Sequence, residues 1–264
     1  MLRTQRRSPA RGFTLVELMV VMVIIAVLAS LISVAVIKVM DNAKITRVRT
    51  EIESMHQAIL SNYKIKDTLP PNVQDAARLA RFWQSMFPYA QEQPPAGLTS
   101  AQALVFWLSG FSPDRNKPIT GVGTRIPPFP FVVSRLHDPA NPTDTVAPAD
   151  PTQGQTGQWV NSAGKTVFPV YYPDHNEMTQ PYVYFDVSRP GSTASYANTN
   201  SGNTLTPYKN DNGGAFMNAQ SFQIVCAGTD NDHGTGGSVP TGVSGGDLDN
   251  VTNFARGLLV DEKP

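Results

Sequence analysis

Cysteine is nearly absent: Cys226 stands alone in 264 residues, so no intrachain disulfide can form. Charge is scarce too, at 16% of residues, and the 21 basic and 21 acidic side chains cancel. A nucleic-acid binder held by bulk electrostatics needs a basic surface that releases counterions, so no nucleic-acid partner is expected. Catalytic constellations are missing as well. His56, His137, His175 and His233 share no H-x-x-x-H spacing, and no G-x-S-x-G elbow occurs. Gly236-Gly237 and Gly245-Gly246 precede no Lys-Ser/Thr pair and open no helix, which excludes a phosphate loop. The chain therefore reads as a non-enzyme.

What the sequence does have is concentrated at its start. Residues 1–12 hold Arg3, Arg6, Arg7 and Arg11 with no acid, and the remainder carries 17 basic against 21 acidic side chains. From Leu18 to Ile37 twenty residues pass without a charge, and at a rise of about 1.5 Å each a helix of that length covers a hydrocarbon core of about 30 Å. The arginines lie wholly on the N-terminal side, so the positive-inside bias keeps residues 1–12 cytoplasmic and sends the rest across the membrane. An uncleaved anchor, a secretory signal peptide and a leader cut before the apolar run all fit this layout. Val27-Leu28-Ala29 offers a small-residue cleavage site, yet the apolar run continues well past it.

Glu17 weighs toward the third reading. An unpaired carboxylate in an apolar span costs about 2.5–3.5 kcal/mol on insertion scales, so such a group is by default a functional site with a partner. Cleavage between Gly12 and Phe13 would give Phe13 a free amine, and a neighbouring copy could present that amine to Glu17. Gly12-Phe13-Thr14-Leu15-Val16-Glu17, behind a short basic leader and ahead of an apolar helix, resembles the class III signal of type IV pilins and type II secretion pseudopilins. The resemblance covers residues 11–40 and differs in one respect, Val34 standing where many family members have proline. It implies cleavage after Gly12 and N-methylation of Phe13 by a prepilin peptidase. Polymerisation into a helical fibre would then follow, with Phe13 and Glu17 as assembly residues.

Beyond the span, Ile45, Val48, Ile52, Met55, Ile59 and Tyr63 recur every three or four residues, which predicts an amphipathic helix continuing the first one to about Lys66, where Pro70 and Pro71 stop it. His56 falls beside that stripe as a partly buried helix histidine. Arg47, Arg49, Glu51 and Glu53 read most simply as a solvated face. Asp75–Met86 and Thr99–Ser109 are further helical candidates, with Phe82, Trp83, Phe106 and Trp107 as core aromatics. Residues 112–164 are dense in Pro, Gly, Asn and Asp and read as loop, with Phe129–Arg135 the one strand-like island. Strands are expected at Thr166–Tyr172, Pro181–Ser188 and Ser221–Ala227, the last placing Cys226 as core filling. Alternation within the second predicts one pair of Tyr182, Val183, Tyr184 and Phe185 facing the helix and the other facing solvent or a neighbour. The expected fold class is α+β: a pilin-like long N-terminal helix packed on an antiparallel β-sheet with loop-rich insertions. The expected organisation is a cleaved leader (1–12), a transmembrane and assembly helix (13–39), its amphipathic continuation (40–66) and an extracytoplasmic headpiece (67–264).

Residues 228–253 form a glycine-rich stretch with Asp230, Asp232, Asp247 and Asp249. Calcium takes six to eight oxygens from carboxylates and carbonyls on flexible backbone, which such a loop can offer, although Gly234 breaks an EF-hand pattern. Asp247 to Phe254 is similar to the acidic C-terminal segment of major pseudopilins, where the resemblance implies a calcium-ordered loop with Asp247 and Asp249 as its carboxylates. Pro181-Tyr182-Val183-Tyr184 also looks like an element of those proteins, with Gln180 in place of its asparagine. The resemblance thus points to a type II secretion pseudopilus subunit in a bacterial inner membrane, its headpiece periplasmic. The implied partners are its own copies, minor pseudopilins, the prepilin peptidase, an assembly platform with its ATPase, and the lipid bilayer. A type IV pilus subunit for adhesion, motility or DNA uptake and a monomeric membrane-anchored binding protein stay open.

Overall fold

A computed structural model describes residues 13–63, 69–72, 74–125, 129–149, 159–174, 178–189, 194–198, 200–211 and 214–262. The chain separates into two units, 1–44 and 45–264, the division falling inside the first helix, α1 (Leu15–Tyr63). The expected end of this helix at Lys66 lies outside the described residues.

In the first unit, Leu15–Ser33 is long and apolar enough to cross a membrane, and none of it is buried. Its two hydroxyls are satisfied inside the helix, Ser30 Oγ donating to Val27 O and Ser33 Oγ to Ala29 O, both at 2.8 Å. Such back-bonding lets serine sit in an apolar span without an orphaned donor. Asp41 and Lys44 close the unit with an i,i+3 ion pair at 3.2 Å.

The second unit, called the headpiece from here on, takes in α1 from Ile45 as well as the expected headpiece residues, and three apolar clusters build it. The predicted stripe is real: Val48, Ile52, Met55, Ile59 and Tyr63 are buried, with Ile45 partly so. Its partner is a three-stranded antiparallel sheet in the order β13 (Val251–Thr252), β11 (Phe222–Cys226), β7 (Val183–Asp186). Ile224 pairs with Tyr184 and Val225 with Val183, a register that sends Tyr182, Tyr184, Phe222, Ile224 and Cys226 into the helix-side cluster. Full burial of a large apolar side chain such as Phe222 or Ile224 contributes about 1.5–3 kcal/mol. The other pair, for which solvent or a neighbour is expected whichever pair it is, proves to be Val183 and Phe185, and both are completely buried in a second cluster with Ala101, Leu205, Tyr208, Val239 and Val243. The chain after Leu205 returns over the far face, so both faces of the sheet are core.

The third cluster joins α2 (Ala76–Met86) and α3 (Ser100–Leu108), which end within a residue of the expected limits because their caps are strong. Asp75 accepts from Arg78 N, and Thr99 with Gln102 forms a reciprocal capping box. Phe82, Trp83, Phe106 and Trp107 lie in this cluster, with Phe82 edge-on to Trp107 at 5.4 Å.

The segment read as loop differs most from expectation. Residues 129–131 form no strand; Phe129 and Phe131 pack edge-on against Tyr171, and Val133–Arg135 is a 3-10 turn. The strand starts later, as β1 (Leu136–Asp138), between β2 (Asn141–Thr145) and β6 (Val170–Tyr171). Residues 166–172 are not one strand: β5 (Thr166–Val167) pairs with β4 (Trp159–Val160), itself beside β3 (Ala147–Pro148), while β6 joins the other sheet. Pro169 sits at the break, where a missing N–H cannot continue a ladder. Two small pairs complete the unit, antiparallel β8 (Tyr196–Ala197) with β9 (Thr204–Leu205) and parallel β10 (Lys209–Asn210) with β12 (Ser238–Val239).

Candidate functional site

The N-terminal site is built by a helix start. Thr14 is the residue before α1, and Glu17 is the third residue of its first turn. Thr14 N and Oγ1 both donate to Glu17 Oε2 at 2.8 Å, while Glu17 N donates to Thr14 Oγ1 at 3.2 Å. This is a capping box, which satisfies two of the donors that a helix start leaves open. An acid here also meets the positive end of the helix dipole. Both bonds from Thr14 fall on one carboxylate oxygen, and among the described residues Oε1 accepts nothing. Phe13 is 81% exposed, and the large apolar side chains from Leu15 to Ile25 are exposed on every side of the helix. The exposed stretch continues through Ile37, Val39 and Met40. Gly12, the expected last residue of the leader, lies outside the described residues.

Residues 7–33 match the family model of the prokaryotic N-terminal methylation motif. No curated protein and no solved structure matches the chain. The methylation motif marks a type IV pilin-like protein of the prepilin-processed kind, and with Leu15–Ser33 behind it the N-terminus is that of a single-pass membrane anchor.

A second glutamate on α1 has a different setting. Glu51, expected on a solvated face, accepts a two-pronged bond from Arg135 (Nη1 to Oε1 at 2.8 Å, Nη2 to Oε2 at 2.6 Å). Tyr171 Oη adds a bond to Oε1 at 3.0 Å and Tyr182 Oη one to Oε2 at 2.6 Å. The guanidinium lies 4.3 Å from the centre of the Tyr171 ring, and its Nε and Nη2 also donate to Tyr172 O. Planar two-point recognition of this kind is specific to arginine. Arg47, one turn earlier, keeps the expected exposed character and pairs with Asp174 at 3.1 Å. His56 is half-buried as expected: it rests on Phe222 at 4.7 Å, and Asn253 Nδ2 lies 2.8 Å from its Nδ1.

The four C-terminal aspartates do not converge. Asp247 is buried and commits its oxygens to Tyr208 Oη (2.7 Å), Gly236 N (2.9 Å) and Thr235 N (3.4 Å). Asn250 ties the same cluster together, donating to Tyr208 Oη and to His233 O. Gly234 has φ +65°, and a Cβ there would fall 2.4 Å from Asp247 Cγ, so only glycine allows this approach. Asp232 accepts from Ser201, Asn203 and Gly234 N. Asp249 Oδ2 takes Thr229 N, Thr229 Oγ1 and Asp230 N, whereas its Oδ1 is buried with no donor among the described residues. Burial, and the neighbouring Asp249 carboxylate beyond it, push Asp230 up to about 6. Among the described residues no group of three or more His, Cys, Asp or Glu side chains is placed to hold a metal ion.

His233 and Cys226 are structural. Pro181 O can only accept, so His233 Nε2 carries the hydrogen at 3.1 Å and Nδ1 faces Asn198 Nδ2 at 3.4 Å. Burial lowers this histidine to about 4. Burial also pushes the Cys226 thiol up to about 12, which leaves it unreactive. Thr14 carried a sequence signal that the pilin-like reading passed over, T-x-x-E ahead of an apolar run. Arg135 carried none, since 84 residues separate it from Glu51.

Proposed function

We propose that this chain is a non-catalytic structural subunit of a type II secretion pseudopilus, cut after Gly12, methylated on Phe13 and polymerised through its apolar helix. The observation that carries the reading is Glu17. Its bonds from Thr14 are local, neutral and confined to one oxygen, so the carboxylate keeps its charge and a free acceptor for the Phe13 amine of the next copy. Lipid is already apolar, so the exposed helix gains little hydrophobic free energy by moving onto a neighbour. Sorting of subunits then falls to packing, to this ion pair and to the energy supplied by a platform and its ATPase.

Two features of the headpiece support the pseudopilin over the pilus subunit. The P-Y-x-Y tyrosines reach α1 and the segment after it, through Glu51 and through Pro70 O, to which Tyr184 Oη donates at 2.5 Å. The C-terminal segment is closed by the buried Asp247, Tyr208 and Asn250 cluster, with Cys226 unpaired in β11. Of the calcium expectation, the Asp230 and Asp249 pair is the part retained, because among these four aspartates it alone leaves a buried carboxylate oxygen without a donor. Asp247 does not fit such a site, its donors being internal. A raised Asp230 contributes stability that is full below its unfolded value and fades as pH rises through about 6, so calcium should raise the melting temperature at about pH 8 and not at about pH 4. An unchanged melt at both, in wild type and in Asp249→Asn, removes the metal from the proposal.

The processing step is tested by intact mass of the membrane-extracted protein, which should lack residues 1–12 and carry one methyl group. Loss of the gene should strand folded exoproteins inside the outer membrane. Intact export with lost motility or DNA uptake would favour the pilus instead.

A further inference from the structure

A cavity of about 220 Å³ opens on the headpiece beside β6; it shares Tyr172 with α1's glutamate network, through the Tyr172 carbonyl that accepts from Arg135. Its walls come chiefly from three separate stretches: Pro139 and Pro142 around the β1–β2 turn, Tyr172 with Thr179 to Pro181 after β6, and Tyr196, Ala197 and Asn200 at and after β8. Among the described residues every side chain lining it is uncharged, whereas two larger cavities of the same unit both contain Arg135 and Asp174. Gln180 lines it, is only 4% exposed, and its Oε1 is buried with no donor from the described protein. An orphaned acceptor of this kind costs about 1–3 kcal/mol unless something supplies a hydrogen.

The two aromatic walls are held in place from behind. Tyr172 meets His137 edge-on at 4.9 Å, and Tyr196 meets His233 edge-on at 5.3 Å. Ser195 O, at the root of the Tyr196 wall, accepts from both Gln74 Nε2 and Ser100 Oγ. Rings fixed before a ligand arrives spare it the entropy loss of ordering them. Tyrosine and proline faces offer flat C–H and π surface, and Thr179, Gln180 and Asn200 offer uncharged hydrogen-bonding groups.

From this placement we propose that the cavity is a binding site for one ring of a neutral saccharide. A sugar ring presents apolar C–H faces to Tyr172 and Tyr196 and hydroxyls to the uncharged polar groups of Thr179, Gln180 and Asn200, which matches the lining. Among the described residues anionic and cationic ligands find no counter-charge here. A peptide docking as an added strand would need a free strand edge, and at β6 the Tyr171 carbonyl is already taken by Tyr182 N at 2.9 Å. The site is independent of the fibre reading, because none of its residues belongs to α1.

The test uses the full processed chain in a polyoxyethylene detergent, which has no sugar headgroup to compete. Saturation-transfer NMR and calorimetry would be run with cellobiose and N,N′-diacetylchitobiose, with digalacturonate and a neutral proline-rich peptide as contrasts. At least one neutral disaccharide should bind with a Kd of about 1 mM, and Tyr196→Ala and Gln180→Met should each weaken it about tenfold. Asn200→Ala, at an exposed position, should weaken it about two- to threefold with an unchanged melting temperature, which guards against a Gln180 variant that fails to fold. The proposal is overturned if neither disaccharide binds, if the substitutions leave binding intact, if digalacturonate binds equally well, or if the peptide alone binds.

Discussion

Glu17 and Glu51 are two acids on one helix, and their surroundings are opposites. Glu51 has both oxygens occupied, by one guanidinium and two phenols, all drawn from residues far away in sequence. Glu17 has one oxygen occupied, by a threonine three residues away, and no cation among the described residues. The first is a completed lock that fastens α1 to the headpiece sheet. The second is a helix start that holds its carboxylate in position without discharging it. The difference teaches that a buried ion pair and an available one can be told apart by how many acceptor sites the subunit fills for itself.

Removing one partner of the completed lock should have the largest effect. Arg135→Ala leaves Glu51 largely buried with two phenols and no cation, and should destabilise the headpiece by about 3–5 kcal/mol in denaturant melts. If the loss is under about 1 kcal/mol, the pair is no more than a surface contact and the contrast with Glu17 collapses. Next comes a pH effect that belongs to the headpiece alone. His233 is buried neutral, so its contribution is present above its unfolded value and lost as pH falls from about 6.5 toward 4, by about 3 kcal/mol. His233→Gln, which keeps a donor toward Pro181 O, should flatten that acid limb; a limb of undiminished slope would assign it elsewhere.

Glu17→Gln should leave the headpiece melt unchanged and cut filament yield at least tenfold, about 1.4 kcal/mol or more per subunit contact. Filaments of normal abundance from this variant would show that no charge passes between subunits here. The smallest effect is expected of Thr14→Val, which removes the cap and costs helix initiation about 1 kcal/mol while leaving the carboxylate charged. If it abolished assembly as fully as Glu17→Gln, the cap rather than the charge would be the working part.

Much of this molecule is legible in the sequence where partners are close along the chain. The stripe from Val48 to Tyr63, the capped α2 and α3 and their four aromatics all follow from spacing and local chemistry. Strand limits around β1 do not, because that strand exists only by pairing with residues 141–145 and 170–171. The Phe129–Phe131 pair looks strand-like because aromatics favour strands, yet Pro130 lacks a donor and both rings pack against Tyr171. The alternation at Tyr182–Phe185 reads the same whether one face is wet or both are dry, and the second core draws on residues scattered from Ala101 to Leu259. The C-terminal acids look like ligands, and the glycines between them instead bring backbone N–H groups onto Asp232 and Asp247.

Closing the C-terminal segment with a phenol, an amide and a carboxylate has a consequence for maturation. Nothing in the fastening needs an oxidant, so the headpiece can reach its final form without a thiol oxidoreductase and on either side of a membrane. Its melt should be identical with and without a reducing agent, and a host lacking disulfide-forming enzymes should still produce it in full.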